Sequence, residues 1–243
     1  TQNITVTIIP VNDAPVATAG LAGTTNEDQN IVITLSGTDI DGDNLTFSLD
    51  TDATNGSVVI DGTLATYTPT LNYNGDDSFT FSVSDGDYSD TADVSVSISA
   101  VNDAPVLASV SDVSFDEDGS GSISLSASDV DGDDLTFSIT GGSDITASIN
   151  GADITFSSST NFNGSEEFSV SVSDGEYTDS QSIMVTVNAV NDVPVANAAS
   201  AETAEDQSVV ISLSGSDIDG DILTYSLDAD ASSGTVTLDG SLA

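Results

Sequence analysis

Apolar residues recur at every second position in short runs along most of the chain. Ile31, Ile33 and Leu35 alternate with polar neighbours. So do Leu45, Phe47 and Leu49, then Phe79, Phe81 and Val83, then Val94, Val96 and Ile98. A period of two over such short runs puts one face of a β-strand in a core and the other in water. Turn dipeptides separate the runs: Asp41-Gly42, Asn55-Gly56, Asp61-Gly62, Asn74-Gly75 and Asp85-Gly86. No run carries a helical period. The order returns downstream at Ile123/Leu125, Leu135/Phe137/Ile139, Ile154/Phe156, Phe168/Val170/Val172 and Ile183/Val185/Val187. About seven short strands in each ~90-residue period predict an all-β fold of tandem Greek-key β-sandwiches in an extended array.

The period is marked by a junction. Val101-Asn102-Asp103-Ala104-Pro105 matches Val11–Pro15 upstream and Val190-Asn191-Asp192-Val193-Pro194 downstream, at Asp-to-Asp spacings of 90 and 89 positions. A junction repeated at a fixed period signals a tandem array. The expected organisation is residues 1–13 as the last strand of a preceding repeat, 14–103 and 104–192 as complete repeats, and 193–243 as the first part of another. The chain reads as a piece of something larger, with the third repeat poorly ordered or continued beyond it. Asn72-Tyr73-Asn74-Gly75 and Asn161-Phe162-Asn163-Gly164 read as aromatic corners pinning a loop that crosses between sheets.

Composition then narrows the chemistry. The 243 residues carry 41 Asp and Glu and no Lys, Arg or His, for a formal charge of −41. No intramolecular salt bridge can form between side chains, so each carboxylate must be solvated, hydrogen-bonded or bound to a cation. Nucleic acid and anionic membranes need a positive surface that is absent. No stretch approaches the ~18 apolar residues of a membrane helix, and no signal peptide is visible. Without His, Cys or Lys the usual nucleophile–base pairs are missing, and carboxylates repeated in each domain read as structural, not as a glycosidase pair. An enzyme is not expected.

The acidic residues are placed, not scattered. Glu27-Asp28, Glu117-Asp118 and Glu205-Asp206 follow each junction at about the same distance. Asp39-Ile40-Asp41-Gly42-Asp43 returns as Asp129–Asp133 and Asp217–Asp221. Asp76-Asp77 returns as Glu166-Glu167, and Asp85-Gly86 as Asp174-Gly175. Calcium takes six to eight oxygen ligands in flexible geometry, and this chain offers only oxygen. Structural zinc lacks its Cys and His. An EF-hand does not fit, because Gly falls at position 4 and no Glu stands at position 12.

The repeat resembles a cadherin domain, and more closely the bacterial cadherin-like repeats of large secreted adhesins. Asp39-Ile40-Asp41 with the Leu45–Leu49 strand resembles the cadherin Asp-Ala-Asp motif. Glu27 stands where the early cadherin Glu stands. Asp85 and Asp174 resemble the Asp ending the penultimate strand, and Val-Asn-Asp-Ala-Pro resembles the linker. The Asp-Arg-Glu signature has no counterpart. The resemblance implies Ca2+ held jointly by neighbouring repeats and the linker between them. At one joint it implies Glu27, Asp28, Asp76 or Asp77, Asn102, Asp103, Asp129, Asp131 and Asp174. At the next it implies Glu117, Glu166 or Glu167, Asn191, Asp192, Asp217 and Asp219. Asn12, Asp13, Asp39, Asp41 and Asp85 are the corresponding set at the first junction.

The expected function is therefore a calcium-rigidified extender or stalk of an extracellular bacterial adhesin, with neighbouring repeats of the same chain as its partners. The alternative is a calcium-dependent module that binds cell-surface polysaccharide or another copy, with Tyr88 and Tyr177 as the exposed aromatic candidates. A metal-free rod held straight by salt screening is the remaining structural alternative.

Overall fold

The computed structural model describes residues 2–242; Thr1 and Ala243, which fall within the expected terminal segments, lie outside them. The described residues form strands and turns, with no helix. The chain divides into two units, with the boundary after Asp103.

The first unit holds β1 (Val16–Ala17), β2 (Leu21–Asn26), β3 (Ile31–Thr34), β4 (Gly37–Thr38), β5 (Thr46–Thr51), β6 (Gly56–Asp61), β7 (Leu64–Pro69), β8 (Gly75–Ser84) and β9 (Ser89–Ser99). One sheet runs β2-β9-β8-β5 and the other β3-β7-β6, while β1 pairs with β4. Phe79, Phe81, Val83, Val94, Val96 and Ile98 on β8 and β9 face Ile33, Val58, Ala65 and Tyr67 of the other sheet across a dry core. Each large side chain so buried contributes about 1.5–3 kcal/mol.

The second unit repeats the plan with β10 (Val106–Leu107), β11 (Val113–Asp116), β12 (Ser120–Ser124), β13 (Ala127–Ser128), β14 (Thr136–Gly141), β15 (Ile145–Asn150), β16 (Asp153–Ser158), β17 (Gly164–Ser173) and β18 (Thr178–Asn188). Its sheets are β11-β18-β17-β14 and β12-β16-β15. Phe156 and Phe168 meet edge to face at 5.3 Å in its core. The unit continues into residues 193–242, whose regular structure is one short pair, β19 (Val195–Ala196) with β20 (Gly215–Ser216), and isolated bridges at Ser212, Asp239 and Leu242.

Residues 2–9 form no strand, and Ile4, Val6, Ile8 and Ile9 are exposed. Their alternation is that of β9 and β18, and among the described residues no strand pairs with them. The alternation also hid a parallel pairing: β2 lies parallel to β9 and β11 to β18, which period alone cannot specify.

β8 and β17 are each tied to the opposite sheet by an acidic anchor. Asp77 on β8 accepts the N–H groups of Thr54, Asn55 and Ser78 and the hydroxyl of buried Tyr67 at 2.9 Å. Partial desolvation pushes its carboxyl up, but these four donors outweigh that and hold it below the ordinary value. Glu166 on β17 stands in the same place. It accepts the hydroxyl of Ser143 and the N–H groups of Ser143, Asp144 and Ile145. The tyrosine is Phe156 there, and the longer acid replaces its hydroxyl with that of Ser143. Both oxygens of Asp77 and Glu166 thus close loops within their own repeat. The aromatic corner is present in the first unit, where the Tyr73 hydroxyl donates to the Asp76 carbonyl at 2.9 Å.

Tyr67→Phe should destabilise the first unit by about 1–3 kcal/mol, because Asp77 keeps its burial and loses a donor. Adding Asp77→Glu should recover part of that loss in denaturant melts. Hydrogen bonds from the Ser143 hydroxyl and the Ser143 and Ile145 N–H groups pull the Glu166 carboxyl from 4.5 down to about 2. Its stabilising contribution is present above the unfolded-state value and is lost as pH falls through the window from 4.5 to about 2. Across that window Glu166→Gln should show a smaller acid-induced drop in Tm than the parent.

Candidate metal centre

The acidic turns at the start of each repeat are built by their first aspartate. Asp39 Oδ1 accepts the N–H groups of Asp41 (2.8 Å), Gly42 (2.9 Å) and Asp43 (3.3 Å). Gly42 takes φ 81, a conformation glycine adopts without strain. Asp129 repeats all three bonds, and Asp217 those to Asp219 and Asp221. With one oxygen organising the turn, Oδ2 of Asp39 and of Asp129 is buried without a hydrogen-bond partner. Carboxylate oxygens of Asp39, Asp41 and Asp43 lie within 4.8 Å of one another, as do those of Asp129, Asp131 and Asp133. Desolvation first, then Asp39, Asp41, Asp85 and Asp87, push the Asp43 carboxyl up. Asp133 is raised in the same way, with Asp129, Asp131, Asp174 and Asp134 as its neighbours. The third aspartate of the motif was absent from the expected ligands, although Asp-x-Asp-Gly-Asp carries it openly.

The Ser-Asp-Gly turns lie beside these clusters. Asp85 Oδ1 accepts the N–H groups of Asp87 and Tyr88, and Asp174 those of Glu176 and Tyr177. The Tyr88 N–H is the main cause holding the Asp85 carboxyl low. The other oxygen of Asp85 accepts from Asn12 Nδ2 at 3.0 Å, and Asp41 accepts from the Asp13 N–H at 2.8 Å. The first junction is thus hydrogen-bonded to the repeat it enters.

At the far end of each repeat sits a buried glutamate. Glu27 and Glu117 are 4% and 7% exposed. Oε1 of each accepts the N–H of the junction valine, Val101 or Val190. Glu27 Oε2 is buried without a hydrogen-bond partner. The next residues, Asp28 and Asp118, take φ 60 and accept the N–H of Asn72 and Asn161 from the corner loop.

The second unit contains a whole junction. Glu117 holds Val190, and the Asp192 N–H donates to Asp219 Oδ2 at 2.6 Å. The Asp192 carboxyl is pushed up by desolvation, then by Asp219, Glu117, Asp118 and Asp217. Its Oδ2 is buried without a hydrogen-bond partner. Five carboxylates from a repeat, its linker and the following segment therefore share one locality with no base among them. Asp118 is among the acids that raise the Asp192 carboxyl, although the sequence expectation took only Glu117 from the pair.

Other expected residues are placed differently. Asp76 accepts the Ser97 hydroxyl on the sheet, and Glu167 is exposed opposite Met184 on β18. Asn191 donates to the Asp192 carbonyl beside it. Asn102 and Asp103 are half-buried in the linker. Buried carboxylate oxygens that lack a donor, in a donor set made only of oxygen, fit calcium.

Several solved structures are similar to parts of this chain. Human protocadherin-24 EC1-2 is 19% identical over 74% of this chain and 100% of its own, with a TM-score of 0.48. Drosophila N-cadherin EC1-4 is 15% identical over 85% of this chain and 61% of its own, with a TM-score of 0.37. An endo-fucoidan hydrolase of glycoside hydrolase family 107 is 23% identical, with a TM-score of 0.34; 72% of this chain matches 29% of that one. The chain thus spans less than a third of the hydrolase's length. No curated protein sequence matches. The signature of the bacterial Ig domain covers residues 12–97, 102–186 and 191–243. Such domains are typically non-catalytic and typically found outside the cell or on its surface. The chain belongs to the bacterial Ig domain family, as a tandem array of its repeats.

Proposed function

We propose that the chain is a calcium-stiffened extender of an extracellular bacterial surface protein or adhesin, in which each linker is locked by calcium. The observation that carries the reading is the junction itself: Glu117 holds the Val190 N–H, Asp219 holds the Asp192 N–H, and Asp192 Oδ2 is buried without a hydrogen-bond partner. Two carboxylates about 5 Å apart repel by about 3 kcal/mol at an effective dielectric near 20. Without a cation that repulsion works against the hydrogen bonds that hold the linker. A bound calcium supplies the positive charge that turns the same groups from mutual repulsion to common attraction.

The protein's own groups have separate tasks. Glu117 fixes the exit of one repeat through the Val190 N–H. Asp217 shapes the turn that presents Asp219, and Asp219 holds the linker through the Asp192 N–H. In sequence, Glu27 corresponds to Glu117, Asp103 to Asp192, Asp129 to Asp217 and Asp131 to Asp219. The exposure of Tyr88 (53%) and Tyr177 (44%) favours a second reading, calcium-dependent contact with polysaccharide. Retention on polysaccharide that is lost in Tyr88→Ala/Tyr177→Ala would establish it; no retention would remove it.

Calcium uptake measured by calorimetry should be accompanied by a rise in Tm that chelator reverses. At a calcium concentration a hundredfold above Kd the gain is about 2.7 kcal/mol. Asp192→Ala with Asp219→Ala should reduce uptake and remove part of the Tm rise, while calcium-free melting of the sandwiches stays close to that of the parent. Identical melts in calcium and in chelator would overturn the reading.

A further inference from the structure

We propose that Asn150, at the tip of the β15–β16 hairpin, is the chain's principal site of spontaneous deamidation. The reaction needs no partner. The backbone nitrogen of the following residue loses its proton to solvent base and attacks Cγ of the asparagine. A C–N bond forms, the side-chain nitrogen leaves as ammonia, and a succinimide remains. Water then opens either succinimide carbonyl, giving aspartate or isoaspartate. Glycine in the following position favours the attack because it adds no side chain against the ring being closed.

Four Asn-Gly steps are present, at Asn55, Asn74, Asn150 and Asn163. The fold treats them unequally. Asn55 is half-buried; its N–H is held by Asp77, and its carbonyl accepts the Thr70 N–H at 2.8 Å and the Tyr67 hydroxyl. Gly56 lies against the Tyr67 ring, with 2.6 Å between that ring and a Cβ built on the glycine. Gly75 and Gly164 open the long strands β8 and β17, laddered to Ile98 and Val187 and packed beside Tyr73 and Phe162. Asn150 instead ends an edge strand and is exposed, before a two-residue turn whose second residue, Ala152, is half-buried and accepts the Leu125 N–H at 2.9 Å. Gly151 is exposed, takes φ 63, and has open space within 4 Å of a built Cβ.

The product fits the tip. The equivalent positions in the other repeats are Asp61-Gly62 and Asp239-Gly240. In this repeat, however, residue 150 faces Asp153 across the ladder. Conversion therefore creates a like-charged pair that the first repeat, with Leu64 opposite Asp61, does not have.

The test is incubation of the intact chain in mildly alkaline buffer, followed by chymotryptic peptide mapping, since trypsin finds no Lys or Arg to cut. Asn150 should convert at least about tenfold faster than Asn55, Asn74 and Asn163, the ratio given by a barrier difference of about 1.4 kcal/mol. In urea the four rates should become similar, and Gly151→Ala should slow Asn150 alone. Asn150→Asp provides the reference product for the peptide map. A native-state rate at Asn150 equal to or below that at any of Asn55, Asn74 and Asn163 would overturn the proposal, as would a lead that persists unchanged in urea.

Discussion

A protein with 41 carboxylates and no basic side chain has to satisfy its acids with N–H groups, hydroxyls, water or a cation. That constraint governs the structure more than any single packing interaction. Where a carboxylate can reach enough donors it becomes a structural anchor. Asp77 and Glu166 each take four, and in doing so join the long strand of one sheet to a loop of the other. Asp39 and Asp129 hold a whole turn on one oxygen. Charge-assisted bonds of this kind are stronger than neutral ones, so the missing bases cost the repeats little within their own bodies.

The shortage of donors appears at the junctions. There the backbone N–H groups of the linker are few, and each already serves one oxygen of a neighbouring acid. Glu117 takes Val190 and Asp219 takes Asp192, while Asp192 Oδ2 is buried without a hydrogen-bond partner. The same division recurs at Glu27, whose second oxygen also lacks a donor. The proposed calcium role follows from this division of labour: one oxygen of an acid orders the backbone, and the other is left facing its like-charged neighbours.

The fold was legible in the sequence because its main signals are local. Period-two alternation found β3, β5, β8 and β9 and their counterparts, since their inward residues are large and apolar. It did not single out β7, whose inward residues are Ala65, Tyr67 and Pro69 and whose pattern is weak. Parallel pairing of β2 with β9 depends on contacts some seventy residues apart and has no local signature. The candidate site was legible as repeated acids, but not the roles of individual residues. Sequence treated Asp77 and Asp28 alike as joint ligands. Asp77 instead closes a loop, while Asp28 clamps the corner through Asn72, as Asp118 does through Asn161 beside Asp192. Asp77 lies on β8 beside Tyr67, whereas Asp28 and Asp118 lie in turns at φ 60, and neither placement has a local sequence signature.

The central claim is that calcium stiffens the linker between repeats, and it is tested most directly at the Val190–Pro194 junction. The chain has no cysteine, so single cysteines placed at an exposed position in residues 104–188 and another in residues 195–242 can carry spin labels without background. The account predicts a broad distance distribution in chelator that narrows in calcium, and stays broad in calcium when Asp192 and Asp219 are both changed to Ala. A distribution that is equally broad, or equally narrow, with and without calcium would contradict it.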